Sequence, residues 1–191
     1  MSYVIVEYDK LMGSGKAHTF YEQKLADLES RIRTKTEEQW SGLSYGAFTP
    51  AAQQYGRTTI NPTLFVGFAG AVLTNYRQNF LAAGWQNIFN QVIPEDVRIA
   101  WAGLAFPSKC PECNELRWQI GDVLYARLNI EEMYGYNKPA ILFEEGFIIP
   151  EETQFLLRGR FESAGFQRIV PLGFALYRRK DQWTVETNIH A

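Results

Sequence analysis

Hydrophobic and polar positions change period several times along this chain, and each change marks an element. From Leu116 to Lys180 four aromatic and aliphatic runs, LRWQIGDVLYARLNI, KPAILFEEGFIIP, TQFLLRGRF and FQRIVPLGFALYRRK, are separated by Gly, Pro, Asn and paired acids. Runs punctuated in this way read as consecutive β-strands joined by short turns. Turn signals recur evenly at Gly121-Asp122, Tyr134 to Asn137, Glu144 to Gly146, Pro150 to Glu152 and Ser163 to Gly165. Even spacing of this kind favours a sandwich or barrel. Within this stretch residues 155–165 read as either strand or helix.

Upstream the pattern is mixed. Tyr3 to Tyr8 is a strand candidate and DKLMGSGK a loop. From about Ala17 the period becomes helical. Tyr21, Leu25, Leu28 and Ile32 follow one another at steps of four, three and four, which puts them on one helical face. That face could pack on its own domain or serve as an arm to a neighbouring subunit. Trp40 to Pro62 is rich in small and polar residues and broken by Pro50 and Pro62. So long a connection is often functional or wraps a neighbour. Thr63 to Leu73 reads as strand or tightly packed helix, Asn75 to Ala83 as a helix capped by Gly84, and Trp85 to Val92 is ambiguous. Val97 to Phe106 is a strand.

The predicted fold is therefore mainly β with an α-helical N-terminal part (α+β), the C-terminal body an antiparallel β-sandwich or jelly-roll-like structure. Residues 1–62 would form the strand, amphipathic helix and extended arm, and residues 63–191 the body. Phe143, Phe147, Phe155, Phe161, Phe174 and Tyr177 are its expected core. The arm's expected interface residues are Tyr21, Leu25, Leu28, Ile32, Trp40, Tyr45 and Tyr55. One internal echo stands out: Arg77 to Ile88 (RQNFLAAGWQNI) matches Arg158 to Ile169 (RGRFESAGFQRI) at Arg, Phe, Ala, Gly, Gln and Ile. Either both mark a turn between similar elements or the match is chance; the absence of further copies excludes a repeat architecture.

Composition narrows the class. At 191 residues, 46% hydrophobic and 21% charged, the chain is an ordinary globular one with an aromatic content of 15%. A net charge of −2 gives no general attraction to nucleic acid or anionic membrane. No apolar stretch approaches bilayer length, and the N-terminus lacks an export signal, so a cytoplasmic site of synthesis is expected. Cys110 and Cys113 make no disulfide framework, which fits a reducing compartment.

Candidate chemistry is sparse. Gly13-Ser14-Gly15-Lys16 lies between strand and helix, but Lys10 and Ala17 occupy two positions a phosphate-cradling loop requires. Cys110-Pro111-Glu112-Cys113 is a lone C-x-x-C; zinc would need two further ligands from His18, His190 or a partner. His18 opens a helix without a triad signature. The pairs Glu131-Glu132, Glu144-Glu145 and Glu151-Glu152 could supply two hydrolytic carboxylates but fall in turns, where acids are usually solvated. Asp122 follows WQIG and is the first carboxylate to test for activity.

The text GDVLYARLNI, KPAILFEEGFIIPEETQFLLRGRF and QRIVPLGFALYRRKD, about 80 residues, resembles jelly-roll or sandwich accessory proteins of tailed-phage virions. The resemblance implies a non-enzymatic decoration, minor capsid or neck/tail protein, self-associating in a symmetric homo-oligomer with other assembly proteins as partners and ending in the virion. Phe155 to Lys180 also resembles the late segment of GNAT-type acetyltransferases. That family's Gly-rich pyrophosphate loop is missing upstream, so no residue is carried over. A third reading is a binding or inhibitor module using aromatics such as Trp40, Tyr45, Tyr55, Tyr134 and Tyr136.

Overall fold

The computed structural model describes residues 2–40, 55–107 and 112–178, with side chains in the first range described as far as Thr36. Antiparallel strands dominate. In chain order they are β1 (Tyr3–Glu7), β2 (Tyr55–Thr59), β3 (Arg77–Phe80), β4 (Gly84–Val92), β5 (Val97–Ala105), β6 (Cys113–Ile120), β7 (Val123–Leu124), β8 (Leu128–Asn129), β9 (Pro139–Ile149), β10 (Gln154–Phe161), β11 (Gly165–Arg168) and β12 (Val170–Arg178). Two helices, α1 (Tyr8–Met12) and α2 (Lys16–Trp40), stand between β1 and β2. One sheet has the order β1-β9-β5-β12-β2. The other has the order β4-β10-β6-β7, with β8 also on β6.

The two sheets meet over an aromatic core. Trp101 of β5 lies 5.0 Å from Phe155 of β10, ring centre to ring centre, and Trp118 of β6 lies 5.2 Å from Phe143 of β9. Phe65, from the loop after β2, fills the space beside Phe89 (4.7 Å) and Trp101 (5.9 Å). Neither indole N–H has a hydrogen-bond partner among the described residues. Each trades that cost for ring contacts on several sides, where large aromatic surfaces contribute most. Of the expected core residues, Phe143, Phe147, Phe155 and Phe161 belong to this layer and Tyr177 borders it.

Phe174 points the other way. On the opposite face of the first sheet it joins Ala100, Ala102, Ala140, Leu142, Leu172 and Leu176. Helix α2 lies across this surface, its apolar stripe Tyr21, Leu25, Leu28 and Ile32 buried against it. Alanines on β5 and β9 keep that surface low enough for the helix to approach. The nine residues of β5 are consequently all buried, with helix on one side and sheet on the other. The helix is pinned where β9 bulges outward. Arg31 donates to the Glu145 carbonyl (2.6 Å), and Lys24 donates to that of Glu144.

Strand pairing crosses residue 62. β1 pairs with β9 along five residues, β2 pairs with β12, and Leu11 of α1 is fully buried. The described part of residues 1–62 belongs to the body's own layers. Tyr8, expected to end the first strand, and Asp9 to Met12, expected as loop, form a short helix, and Asn75 to Ala83, expected as helix, contains β3. Phe155 to Phe161 alternates buried and exposed positions and is strand.

The internal echo has a structural counterpart. Each copy is a strand, a three-residue corner and a second strand. The copies pair with each other: Phe80 opposes Gly165 while Phe161 opposes Gly84, and Arg77 opposes Arg168 while Arg158 opposes Asn87. The clasp is locally two-fold. Phe80 and Phe161 stack across it at 4.0 Å. Gly84 (φ 100°) and Gly165 (φ 156°) leave the two corners with positive φ, which glycine adopts without steric cost.

Trp101→Ala should cost about 3–5 kcal/mol, as large-to-small changes in packed aromatic cores do. Val92→Thr, at a half-exposed position, should stay within about 0.5 kcal/mol. Guanidinium unfolding of both variants checks the pair. Similar losses would mean that the rings between the sheets do not carry the fold.

Candidate functional site

Placing the sequence candidates on the fold removes most of them from chemistry. The interface stripe Tyr21, Leu25, Leu28 and Ile32, together with Tyr55, is buried in the chain's own core. The stripe packs against β5, β9 and β12 within the chain itself. The Trp40 side chain and Tyr45 lie outside the described residues.

The ionisable candidates are engaged in holding elements together. His18 Nδ1 donates to the Leu11 carbonyl (2.8 Å) and ties α2 to α1. Glu151 accepts from Arg98 (2.8 Å) and from the Asp96 backbone N–H (2.9 Å). Arg178 pairs with Asp96 at 3.5 Å, so two nearly buried arginines close the end of the first sheet on two carboxylates. This is the purpose that the expectation of solvated acid pairs missed at Glu151. Glu131, Glu132, Glu144, Glu145, Glu152 and Asp122 are accessible to solvent. Gly13 to Gly15 form the turn between the two helices.

Cys113 opens β6 in the inter-sheet core, and its thiol donates to the Glu115 carbonyl at 3.4 Å. Burial pushes the thiol well above its ordinary pKa. A zinc ligand must be a thiolate, and this site holds the proton on. Among the described residues no group of three His, Cys, Asp or Glu side chains is placed to hold a metal; Cys110 lies outside them.

Two surfaces remain that the sequence did not announce. The first, an apolar tip, comprises exposed side chains of the clasp and of the 67–75 loop beside it. Val72, Leu81 and Phe166 are 59%, 69% and 57% exposed there. Arg77 covers the Phe166 ring at 4.2 Å and lines a neighbouring cleft of about 240 Å³ between the 67–75 loop and β3. Phe68, Leu73 and Gln78 form its inner wall, and Gln78 Oε1 accepts the Phe68 backbone N–H (2.8 Å). The second is the outward face of the other sheet, where Arg117 of β6 directly opposes Arg158 of β10. Both pairings join residues far apart in sequence, so no local signal could reveal them.

No helix among the described residues is long and apolar enough to cross a membrane. Searches against protein-family models, curated proteins and solved structures found no match to this chain.

With Cys110→Ser leaving Cys113 as the single thiol, the folded protein should resist a thiol reagent at pH 8 and react fully once unfolded in denaturant. The physical cause is burial, which disfavours the thiolate the reagent needs. Rapid labelling of the folded variant would show that the start of β6 opens and that Cys113 is available as a ligand.

Proposed function

We propose that this chain is a non-enzymatic assembly protein of jelly-roll type, a virion component such as a capsid decoration, minor capsid or neck/tail protein of a tailed phage. On this reading it is made in the cytoplasm and ends in the particle. The strand order supports the fold half of the reading. Taken in chain order, β2, β4, β5, β6, β7 with β8, β9, β10 and β12 count as eight strands. The first, eighth, third and sixth then form one sheet, and the second, seventh, fourth and fifth the other. This order supports two Greek keys rolled together, an architecture used by capsid and lectin domains among others. β1 adds a strand beside the sixth, and α2 covers the outer face.

Fold does not decide function, and the observation that carries the assembly half is the apolar tip. Val72, Leu81 and Phe166 are each more than half exposed, Phe166 beneath the Arg77 guanidinium, and exposed apolar patches of this kind mark interaction sites. A symmetric oligomer would bury the tip in each copy against the same surface of its neighbour. The side chains that could otherwise suggest catalysis, His18, Glu151 and Cys113, are held in structural bonds.

Light scattering after size exclusion checks the proposal. Wild-type protein should exceed the 22.0 kDa protomer mass and gain mass with concentration. A Leu81→Ser, Phe166→Ser variant should weaken association by tenfold or more, since each buried apolar side chain is worth about 1.5–3 kcal/mol. A wild type that stays monomeric at every concentration would contradict self-assembly and favour the binding-module reading.

A further inference from the structure

The outward face of the β4-β10-β6 sheet is built from the positions that alternate with the core. Arg158 opposes Arg117 on one side and Asn87 on the other. Directly opposed residues on adjacent strands have side chains about 5 Å apart at their Cβ atoms, and like charges so placed destabilise a sheet. Several other arginines have carboxylate partners: Arg57 and Arg33 have Glu29, Arg98 has Glu151, and Arg178 has Asp96; Arg77 and Arg168, the other directly opposed pair, have none among the described residues, Arg77 lying over Phe166 instead. Glu115, the next outward residue along β6, is taken by Arg160 (3.1 Å) and approached by Arg127 (4.0 Å). No ion pair or hydrogen bond satisfies Arg117 or Arg158 among the described residues, and the Arg117 Nε is buried without a partner.

The two guanidinium groups border an open cleft of about 150 Å³, with Gln119 at its side and Leu124 and Leu156 as apolar walls. Gln119 is held in place because its Nε2 donates to the Gly121 carbonyl (2.8 Å), which leaves its side-chain oxygen as an acceptor. The face thus offers two forks of donors, one acceptor and two apolar contacts in a space of monosaccharide scale. A guanidinium pair of this kind matches the oxygens of a carboxylate or sulfate, and an anion between the forks would relieve their mutual repulsion.

We infer that Arg117 and Arg158 form a binding site for a compact oxyanion-bearing ligand, a sugar acid or sulfated sugar unit, on the outer face of this sheet. The inference is independent of the assembly reading: it uses a different surface, and a monomer could bind the same ligand. The oxyanion sits between the guanidinium groups while the body of the ligand rests on Leu124 and Leu156, with a hydroxyl donating to Gln119.

The test is a nuclear magnetic resonance titration of the ¹⁵N-labelled full chain with sodium D-glucuronate, sodium sulfate and neutral D-glucose, each at fixed ionic strength in chloride. Glucuronate or sulfate should shift the Arg117 and Arg158 Nε–H signals and the Gln119 amide saturably, and glucose should not. The anion that saturates at the lower concentration identifies the recognised group as carboxylate or sulfate. Arg117→Gln and Arg158→Gln should each weaken binding by about tenfold, the loss of one hydrogen-bonded charge contact. Both variants should unfold no earlier than wild type in chloride alone, because a like-charge contact has been removed. As a second readout, the effective anion should raise the wild-type unfolding temperature more than that of the double variant. The site is disproved if neither anion produces saturable shifts at these arginines, or if the double variant binds as tightly as wild type.

Discussion

The rings between the two sheets are the constraint on which the rest of this structure depends. Trp101 alone touches Phe65, Phe89, Phe147 and Phe155, at 5.9, 6.0, 6.0 and 5.0 Å. It therefore joins a loop and three strands drawn from both sheets. Rings of this size set the spacing of the sheets, and residues on the other face of β5 must then be small. Ala100, Ala102 and Ala105 are those residues, and they admit α2 as a third layer. Gly103 belongs to the same requirement: a Cβ there would lie 2.0 Å from the Ile141 carbonyl oxygen of β9. Large on one face and small on the other, β5 fixes the order of the layers.

The clasp formed by β3–β4 and β10–β11 extends the same logic to the molecule's end. Its two corners carry the matching glycines, and its two matching phenylalanines stack between the halves. Sequence similarity between Arg77–Ile88 and Arg158–Ile169 thus reflects similar backbone demands on two segments that pair antiparallel. The clasp carries the exposed Leu81 and Phe166, while β10, shared between the clasp and the second sheet, pairs with β6 at the arginine face.

Much of the β pattern was legible, and the failures have physical causes. The strands at Tyr3, Val97 and beyond Leu116 declared themselves by apolar runs between turn residues, and α2 by its period. Asn75 to Ala83 misled because RQNFLAAG has good helix formers followed by an apparent cap, whereas Gln78 and Phe80 are buried by pairing with β11. Tyr21, Leu25, Leu28 and Ile32 were found as a face, but a face does not say what covers it. The arginine pair was invisible because Arg117 and Arg158 meet only through the register of β6 and β10. Local pattern reports which side of an element is apolar; non-local pairing decides which side chains share a site.

The molecule folds as one unit of three layers, with α2 packed on the outer face of the first sheet. Hydrogen exchange of the native protein, resolved by residue, tests it most directly. Amides from Tyr21 to Ile32 should be protected to the same order as those of β5, equally at low and high protein concentration, since the layers unfold together. Exchange in α2 that is orders of magnitude faster than in β5, or protection that arises only at high concentration, would make the helix an arm and contradict the three-layer unit.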